Sequence, residues 1–175
     1  VPQELTDYLN SNKSCLKEEL LELWRISNFS TQGCWSDIFG NSAAASEVFM
    51  AWHFAKYTDE VTAAGKKEYA LPCFVNATLF EKHQKPGEYP SAGPLPHLMD
   101  IWNAGSPHLD FYAPDIYNPH FKKWCELYHT DRNVLLIPEM SYSNYPCASS
   151  LYVIGHHKAL GLSPFAIDSV EITEE

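Results

Sequence analysis

The sequence lacks the signatures of several common protein classes. It has no apolar run near the roughly 20 residues that a membrane-spanning helix needs, and it has no HExxH metal motif. The glycine-rich motifs GxGxxG and GxxxxGK(S/T), which cradle nucleotide phosphates, are also absent. Positive charge is scarce, since 12 Lys and Arg stand against 22 Asp and Glu, a net charge of -10. We therefore expect no metal, no cofactor, no nucleic-acid partner and no membrane partner.

Cysteines are too few and too scattered to form a framework. There are five, an odd number, and none belongs to a CxxC pair. Buried free thiols explain this pattern better than disulfides or a zinc site. The five predicted buried thiols are Cys15, Cys34, Cys73, Cys125 and Cys147.

What the chain does have is a repeating alternation of apolar runs and helical patterns. With 175 residues, 45% of them hydrophobic, it can bury one sizeable core. The hydrophobic spacing and the Pro and Gly positions predict nine elements. Strands are predicted over 70–77, 109–117, 133–138 and 163–169, and helices over 13–28, 47–64 (capped by Ser46), 96–104, 119–128 and 148–160. Four tryptophans on the helices, Trp24, Trp52, Trp102 and Trp124, are predicted to be core residues.

The strands read as continuous apolar runs, which is typical of a parallel α/β sheet covered on both faces. Two architectures fit this pattern. One is an open doubly wound sheet, such as a flavodoxin-like sheet, and the other is part of a (β/α)8 barrel. Polar residues stand at the predicted strand ends, and a barrel directs such residues into one pocket. These residues are Asn76, Asp115, Tyr117, Glu139 and Asp168. This favours the barrel.

A complete barrel of this kind needs about 250 residues, and the chain supplies four strand–helix units. We interpret residues 1–175 as a single partial barrel domain, the C-terminal half of a TIM barrel with strands five to eight. Its first and last strands would then be unpaired edges. The expected partner for these edges is the remainder of the barrel or a second copy of the chain.

Several long blocks carry a resemblance to a known family. "MAWHFAKY" (50–57), "PLPHLMDIW" (94–102), "DFYAPDIY" (110–117), "LLIPEM" (135–140) and "GLSPFAIDS" (161–169) stand in an order that runs over nearly the whole chain. Together they resemble bacterial β-galactosidase-type glycoside hydrolases. These are the family 35 and family 42-like members of the retaining clan built on (β/α)8 barrels.

The resemblance implies a two-carboxylate mechanism acting on a terminal β-galactoside or similar sugar. Glu139 matches the nucleophile at the end of strand seven. The acid/base glutamate, preceded by Asn at the end of strand four, has no counterpart, because no Asn-Glu dipeptide occurs in the chain. Retaining glycosidases need both groups, about 5–5.5 Å apart. We therefore expect little or no turnover from this segment alone.

Each of the other candidate residues has two interpretations. Asp115 and Tyr117 either hydrogen-bond the nucleophile or the sugar hydroxyls, or they cap a helix and pack at the rim. Asn76 either donates to a substrate hydroxyl or holds an Asx-turn. Trp35, in a glycine-flanked segment, either stacks on a sugar ring or fills a gap in the core. The alternative for the whole chain is a non-catalytic carbohydrate-binding or structural barrel domain.

The chain starts at Val1-Pro2 without an initiator Met, so we expect its natural N-terminus to lie upstream. The resemblance implies a periplasmic or secreted protein. Neither the sugar, the linkage nor the oligomeric state follows from the sequence.

Overall fold

The chain folds as two compact units. The computed structural model describes residues 1–81, 83–141 and 146–169. The first unit comprises Val1–Cys73 and Phe80–Asp110, and the second comprises Phe74–Leu79 and the residues from Phe111 onward. The interpretation of residues 1–175 as one partial barrel domain stays a prediction.

The first unit is helical. Its helices are α1 (Gln3–Asn12), α2 (Glu18–Arg25), α3 (Trp35–Phe39), α4 (Ala43–Glu68) and α5 (Met99–Gly105). The helix predicted over 13–28 is confirmed over its central part, but α1 and α3 were not predicted. In α1, Leu5 and Leu9 are fully buried one turn apart, so this short helix is held by packing on one face.

Helix α4 is longer at both ends than the predicted helix over 47–64. Ser42, not Ser46, is the N-cap, and its Oγ accepts a hydrogen bond from Ala45 N at 3.1 Å. The three alanines that follow Ser42 have the highest helix propensity of any residue, so the helix starts there. Gly65 does not end the helix, because the chain continues in helical conformation to Glu68.

Helix α4 carries apolar residues on two of its faces. Val48, Ala51, Trp52 and Ala55 are buried in the core. A second stripe at spacings of four, three and four residues is exposed, and it consists of Met50, Phe54, Tyr57 and Val61. A helix that is apolar on two faces is typical of one covered on both sides.

The second unit holds a four-stranded parallel sheet. Its strands are β1 (Phe74–Thr78), β2 (Phe111–Ile116), β3 (Leu136–Met140) and β4 (Gly161–Pro164), and they lie in the order β1-β2-β3-β4. Helix α6 (Phe121–Tyr128) connects β2 to β3, and helix α7 (Pro146–His157) connects β3 to β4. The predicted α/β class with an all-parallel sheet is confirmed.

Asn133 explains why β3 starts later than predicted. Its buried side chain bonds to the backbone of β2, with Oδ1 accepting from Tyr112 N at 2.8 Å and Nδ2 donating to Tyr112 O at 3.0 Å. Nδ2 also donates to Tyr128 O at 2.7 Å. A side chain therefore takes the place of the backbone ladder here. Strand β3 begins at Leu136, and its residues in register with β2 are Glu139 and Met140.

The other end of β3 was also placed incorrectly. The strand was expected to stop at Pro138, but it runs on to Met140, so Glu139 lies inside the strand. Pro138 is tolerated because the ladder to β4 is interrupted between Ile137 and Met140, where no N–H is required. The fourth strand was placed too late, since Asp168 is exposed in a single 3-10 turn (Ile167–Ser169) instead of ending a strand.

All five cysteines are free thiols, but the prediction that they are buried is wrong for most of them. Cys15, Cys34 and Cys147 are exposed and Cys73 is half-buried, because they lie in turns, helix starts and the approach to β1. Cys125 is buried, next to Trp124 on the inner face of α6. The four tryptophans predicted to lie in the core are all buried, each less than 8% exposed.

Within the described residues, no helix combines the length and the hydrophobicity needed to span a bilayer.

Two glycine substitutions should change the stability in opposite directions. A Cβ on Gly105 would lie 2.8 Å from the Ala55 Cβ, so Gly105→Ala should destabilise the packing of α4 against α5 by about 1–3 kcal/mol. Gly65, inside α4, has no atom within 4 Å of its Cβ position, so Gly65→Ala should stabilise the protein by up to about 1 kcal/mol. Urea unfolding of both variants measures these changes, and equal shifts for the two would contradict the close approach of the helices.

Candidate functional site

The candidate site lies at the C-terminal ends of three neighbouring strands in the second unit. Asp115 on β2 is in register with Glu139 on β3 and with Thr78 on β1. Residues in register on parallel strands point to the same face, as do residues two apart on one strand. Asn76, two residues before Thr78, therefore shares its face with both acids.

Asp115 is bound on one side and unpaired on the other. The residue is 9% exposed, and its Oδ2 accepts a hydrogen bond from Asn76 Nδ2 at 2.8 Å. Its Oδ1 is buried and has no hydrogen-bond partner among the residues that the structure describes. Buried polar atoms are rarely left unpaired, so this oxygen needs an explanation.

The environment of Asp115 favours its protonated form. Burial raises the pKa of this carboxyl, the Asn76 hydrogen bond lowers it, and the nearby charge of Glu139 raises it further, to about 6. Burial and a like charge both disfavour a second negative charge at this position. The carboxyl therefore changes its protonation state in the mildly acidic range.

Glu139 has a hydroxyl donor of its own. Tyr117 Oη donates to Glu139 Oε1 at 2.5 Å, a short and charge-assisted hydrogen bond. Burial, the bond to Glu139 and the negative charges nearby raise the pKa of Tyr117 to about 12, so the phenol keeps its proton. Tyr117 follows directly after β2 and is 46% exposed, and Glu139 is half-buried. Both side chains are thus open to a ligand.

Trp35 belongs to the first unit, whereas the other four candidate residues belong to the second. It starts helix α3 instead of lying in a loop as expected. Its ring contacts Phe39, Phe49 and His53, with centroids 5.7, 5.3 and 6.2 Å away. Trp35 also lines a cavity of about 550 Å³ in that unit. Its predicted role in sugar binding stays a prediction.

The second unit has a larger cavity beside the segment that follows Tyr117. Its volume is about 650 Å³, and its walls include His120, Lys122, Ser149 and Tyr152. Lys122 Nζ lies 5.1 Å from the centre of the Tyr152 ring. Ligand pockets of about 300–1,000 Å³ accommodate small molecules, so this cavity is large enough for a sugar.

Sequence reasoning missed a buried carboxylate in the first unit. Glu47 is 2% exposed and accepts hydrogen bonds from Tyr89 Oη at 2.8 Å and Ala92 N at 3.1 Å, and its Oε2 lies 3.0 Å from His97 Nε2. Despite the opposing effect of burial, these bonds lower the pKa of Glu47. Both of its oxygens are paired, so Glu47 fixes the segment from Tyr89 to His97. The Pro- and Gly-rich composition of that segment gave no sign of an anchor.

The described residues contain no cluster of three or more His, Cys, Asp or Glu side chains able to hold a metal ion. The candidate site offers two adjacent carboxyl groups, one amide and one phenol. One carboxylate is open and bound by a phenol, and the other carboxyl can gain or lose a proton near pH 6.

In comparisons with known proteins, no family model matches the chain and no curated protein matches it. The resemblance to glycoside hydrolases stays a prediction.

The raised pKa of Asp115 should make the stability of the fold depend on pH. The ordinary pKa of the carboxyl is 3.8, against about 6 in the fold. Between these values the folded state holds a proton that the unfolded state has lost, so stability falls as the pH rises from about 4 to about 6. The loss should amount to at most about 3 kcal/mol. Asp115→Asn removes this titration.

Urea unfolding at a series of pH values tests this dependence. As the pH rises, the free energy of unfolding of Asp115→Asn should improve relative to that of the unsubstituted chain. Asp168→Asn, which changes an exposed aspartate, serves as the control and should show no such trend. Parallel stability curves for Asp115→Asn and the unsubstituted chain would contradict the assignment.

Proposed function

We propose that the chain is part of a β-galactosidase-like retaining glycoside hydrolase, with Glu139 as its nucleophile. The observation that carries the proposal is the pairing of β2 with β3, which puts the Asp115 carboxyl level with Glu139 while Tyr117 bonds to the Glu139 carboxylate. A cluster of this kind, with acids beside a phenol and an amide at strand ends, suits the binding of sugar hydroxyls and attack on an anomeric carbon.

The strand order supports the barrel part of the proposal. The four parallel strands follow one another in space as they do in sequence. In a (β/α)8 barrel, each strand lies next to the strand that follows it in the sequence. In a doubly wound sheet, the strand order reverses at the switch point where ligands bind. The described sheet has no such reversal, so a flavodoxin-like arrangement receives no support. We propose that the sheet is strands five to eight of a TIM barrel.

The proposed mechanism assigns a role to each group. The Glu139 carboxylate attacks the anomeric carbon and forms a glycosyl-enzyme intermediate as the leaving oxygen departs. A second carboxyl group protonates that oxygen and later activates water. Following the resemblance, this acid/base is a glutamate upstream of Val1. Tyr117 orients Glu139, and Asn76 and Asp115 bind sugar hydroxyls.

Azide rescue tests the nucleophile assignment. The test uses a version of the protein extended upstream to include the preceding strand, with a nitrophenyl β-galactoside as substrate. Glu139→Gly should lose turnover down to the uncatalysed background. Added azide should then restore release of nitrophenol and yield the α-galactosyl azide, because the small anion attacks from the side of the missing carboxylate.

The matched control is Glu126→Gln on the exposed face of α6, which should keep full activity. A β-galactosyl azide would show that Glu139 is the acid/base instead. Full activity of Glu139→Gly would exclude a catalytic role. An extended protein that binds galactosides without cleaving them would favour the non-catalytic carbohydrate-binding domain.

Tyr117→Phe should impair catalysis without removing it. The hydrogen bond from Tyr117 to a charged carboxylate is worth about 1.5–3 kcal/mol, so kcat should fall roughly 10- to 100-fold if the bond strengthens in the transition state. Steady-state kinetics on the same substrate measures the change. Unchanged kinetics would assign Tyr117 to packing at the rim.

A further inference from the structure

Asp115 Oδ1 is the one buried side-chain oxygen or nitrogen, among the described residues, that has no hydrogen-bond partner. The other oxygen of the same carboxyl is held by Asn76, so the group cannot turn to satisfy both. Leaving a buried acceptor unpaired costs about 1–3 kcal/mol, and more when the group is charged. A hydrogen-bond donor on a bound ligand would satisfy such an atom.

The groups around Asp115 show what kind of partner is missing. Asn76 faces it from β1, Glu139 from β3, and Tyr128 acts on it electrostatically from α6. Tyr117, which follows β2, is committed to Glu139. None of these groups donates to Oδ1. A buried and unpaired acceptor needs a hydrogen-bond donor, and a hydroxyl group is a compact neutral donor.

We propose that Asp115 Oδ1 accepts a hydrogen bond from one specific hydroxyl of the bound sugar, and that forming this bond expels a proton from the Asp115–Glu139 pair. The inference rests on the proposed function, since it concerns the sugar bound at the same site. It makes Asp115 a specificity-determining residue and couples recognition to the protonation of the site.

The proton balance follows from the two states of the carboxyl. Without sugar, Asp115 holds its proton in mildly acidic solution, because it is buried next to a like charge. A hydroxyl that donates to Oδ1 stabilises the ionised form, so the proton leaves to the buffer. Affinity for the sugar should therefore rise with pH up to about 6–7 and become constant above that range, where no proton remains to be expelled.

Calorimetry of methyl β-D-galactoside binding to the 175-residue chain tests this coupling. Titrations in buffers of different ionisation enthalpy give the number of protons released. We expect roughly half a proton per bound sugar near pH 6 and close to none near pH 8. Asp115→Asn should bind the sugar with no proton release at either pH. Asp131→Asn, which changes an exposed aspartate in the turn before β3, should behave like the unsubstituted chain.

A series of monodeoxy methyl β-D-galactosides identifies the hydroxyl. One member should lose at least about tenfold in affinity, together with the proton release near pH 6. The series uses the unsubstituted chain, so it decides the matter even if Asp115→Asn fails to fold.

Two outcomes separate this inference from the proposed function. Binding of the galactoside without proton release, or with a release that persists in Asp115→Asn, would overturn the inference and leave the proposed function standing. Absence of galactoside binding by the unsubstituted chain would overturn the inference, whereas the azide test on the extended protein decides the proposed function separately.

Discussion

The structure of the site depends on two acidic side chains that stand level on adjacent parallel strands. Asp115 and Glu139 are in register on β2 and β3, so their charges oppose each other in a partly buried place. Separate donors make this arrangement tolerable: Asn76 bonds to one acid and Tyr117 to the other. The two neighbouring acids therefore differ in their surroundings. Glu139 is accessible and accepts a hydrogen bond from a phenol, whereas Asp115 is buried and has a hydrogen-bond partner for one of its two oxygens.

The register that brings the acids together is itself fixed at the opposite end of the strands. Asn133 bonds to both backbone groups of Tyr112 and to the carbonyl of Tyr128, which ties the start of β3 to β2 and to the end of α6. A shift of one residue would turn Glu139 to the other face of the sheet. The geometry at the C-terminal ends is thus set by a buried amide about six residues earlier in the chain.

Much of the second unit could be predicted from the sequence, because its strands are short apolar runs followed by polar residues. The four-strand parallel sheet and the grouping of Asn76, Asp115, Tyr117 and Glu139 at one edge follow from that pattern. Strand limits were less accurate. Side-chain bonds from Asn133 and the interruption at Pro138 decide them, and neither leaves a periodic signal.

The first unit was harder to predict for the same physical reason. Helices α1 and α3 are short and are held by packing, so their local propensity carries little information. The hydrogen bonds of Glu47 join residues more than 40 positions apart, and no spacing rule reveals them. The unpaired oxygen of Asp115 likewise depends on which donors reach it in the fold, and no sequence pattern reveals these.

The exposed stripe of Met50, Phe54, Tyr57 and Val61 on α4 also has a consequence for handling the protein. Covering these side chains releases the water that surrounds them, which is favourable. At high concentration the molecules should therefore associate through this stripe. The net charge of -10 opposes such clustering through mutual repulsion. Colloidal behaviour should therefore depend on ionic strength, with added salt screening the repulsion and promoting aggregation.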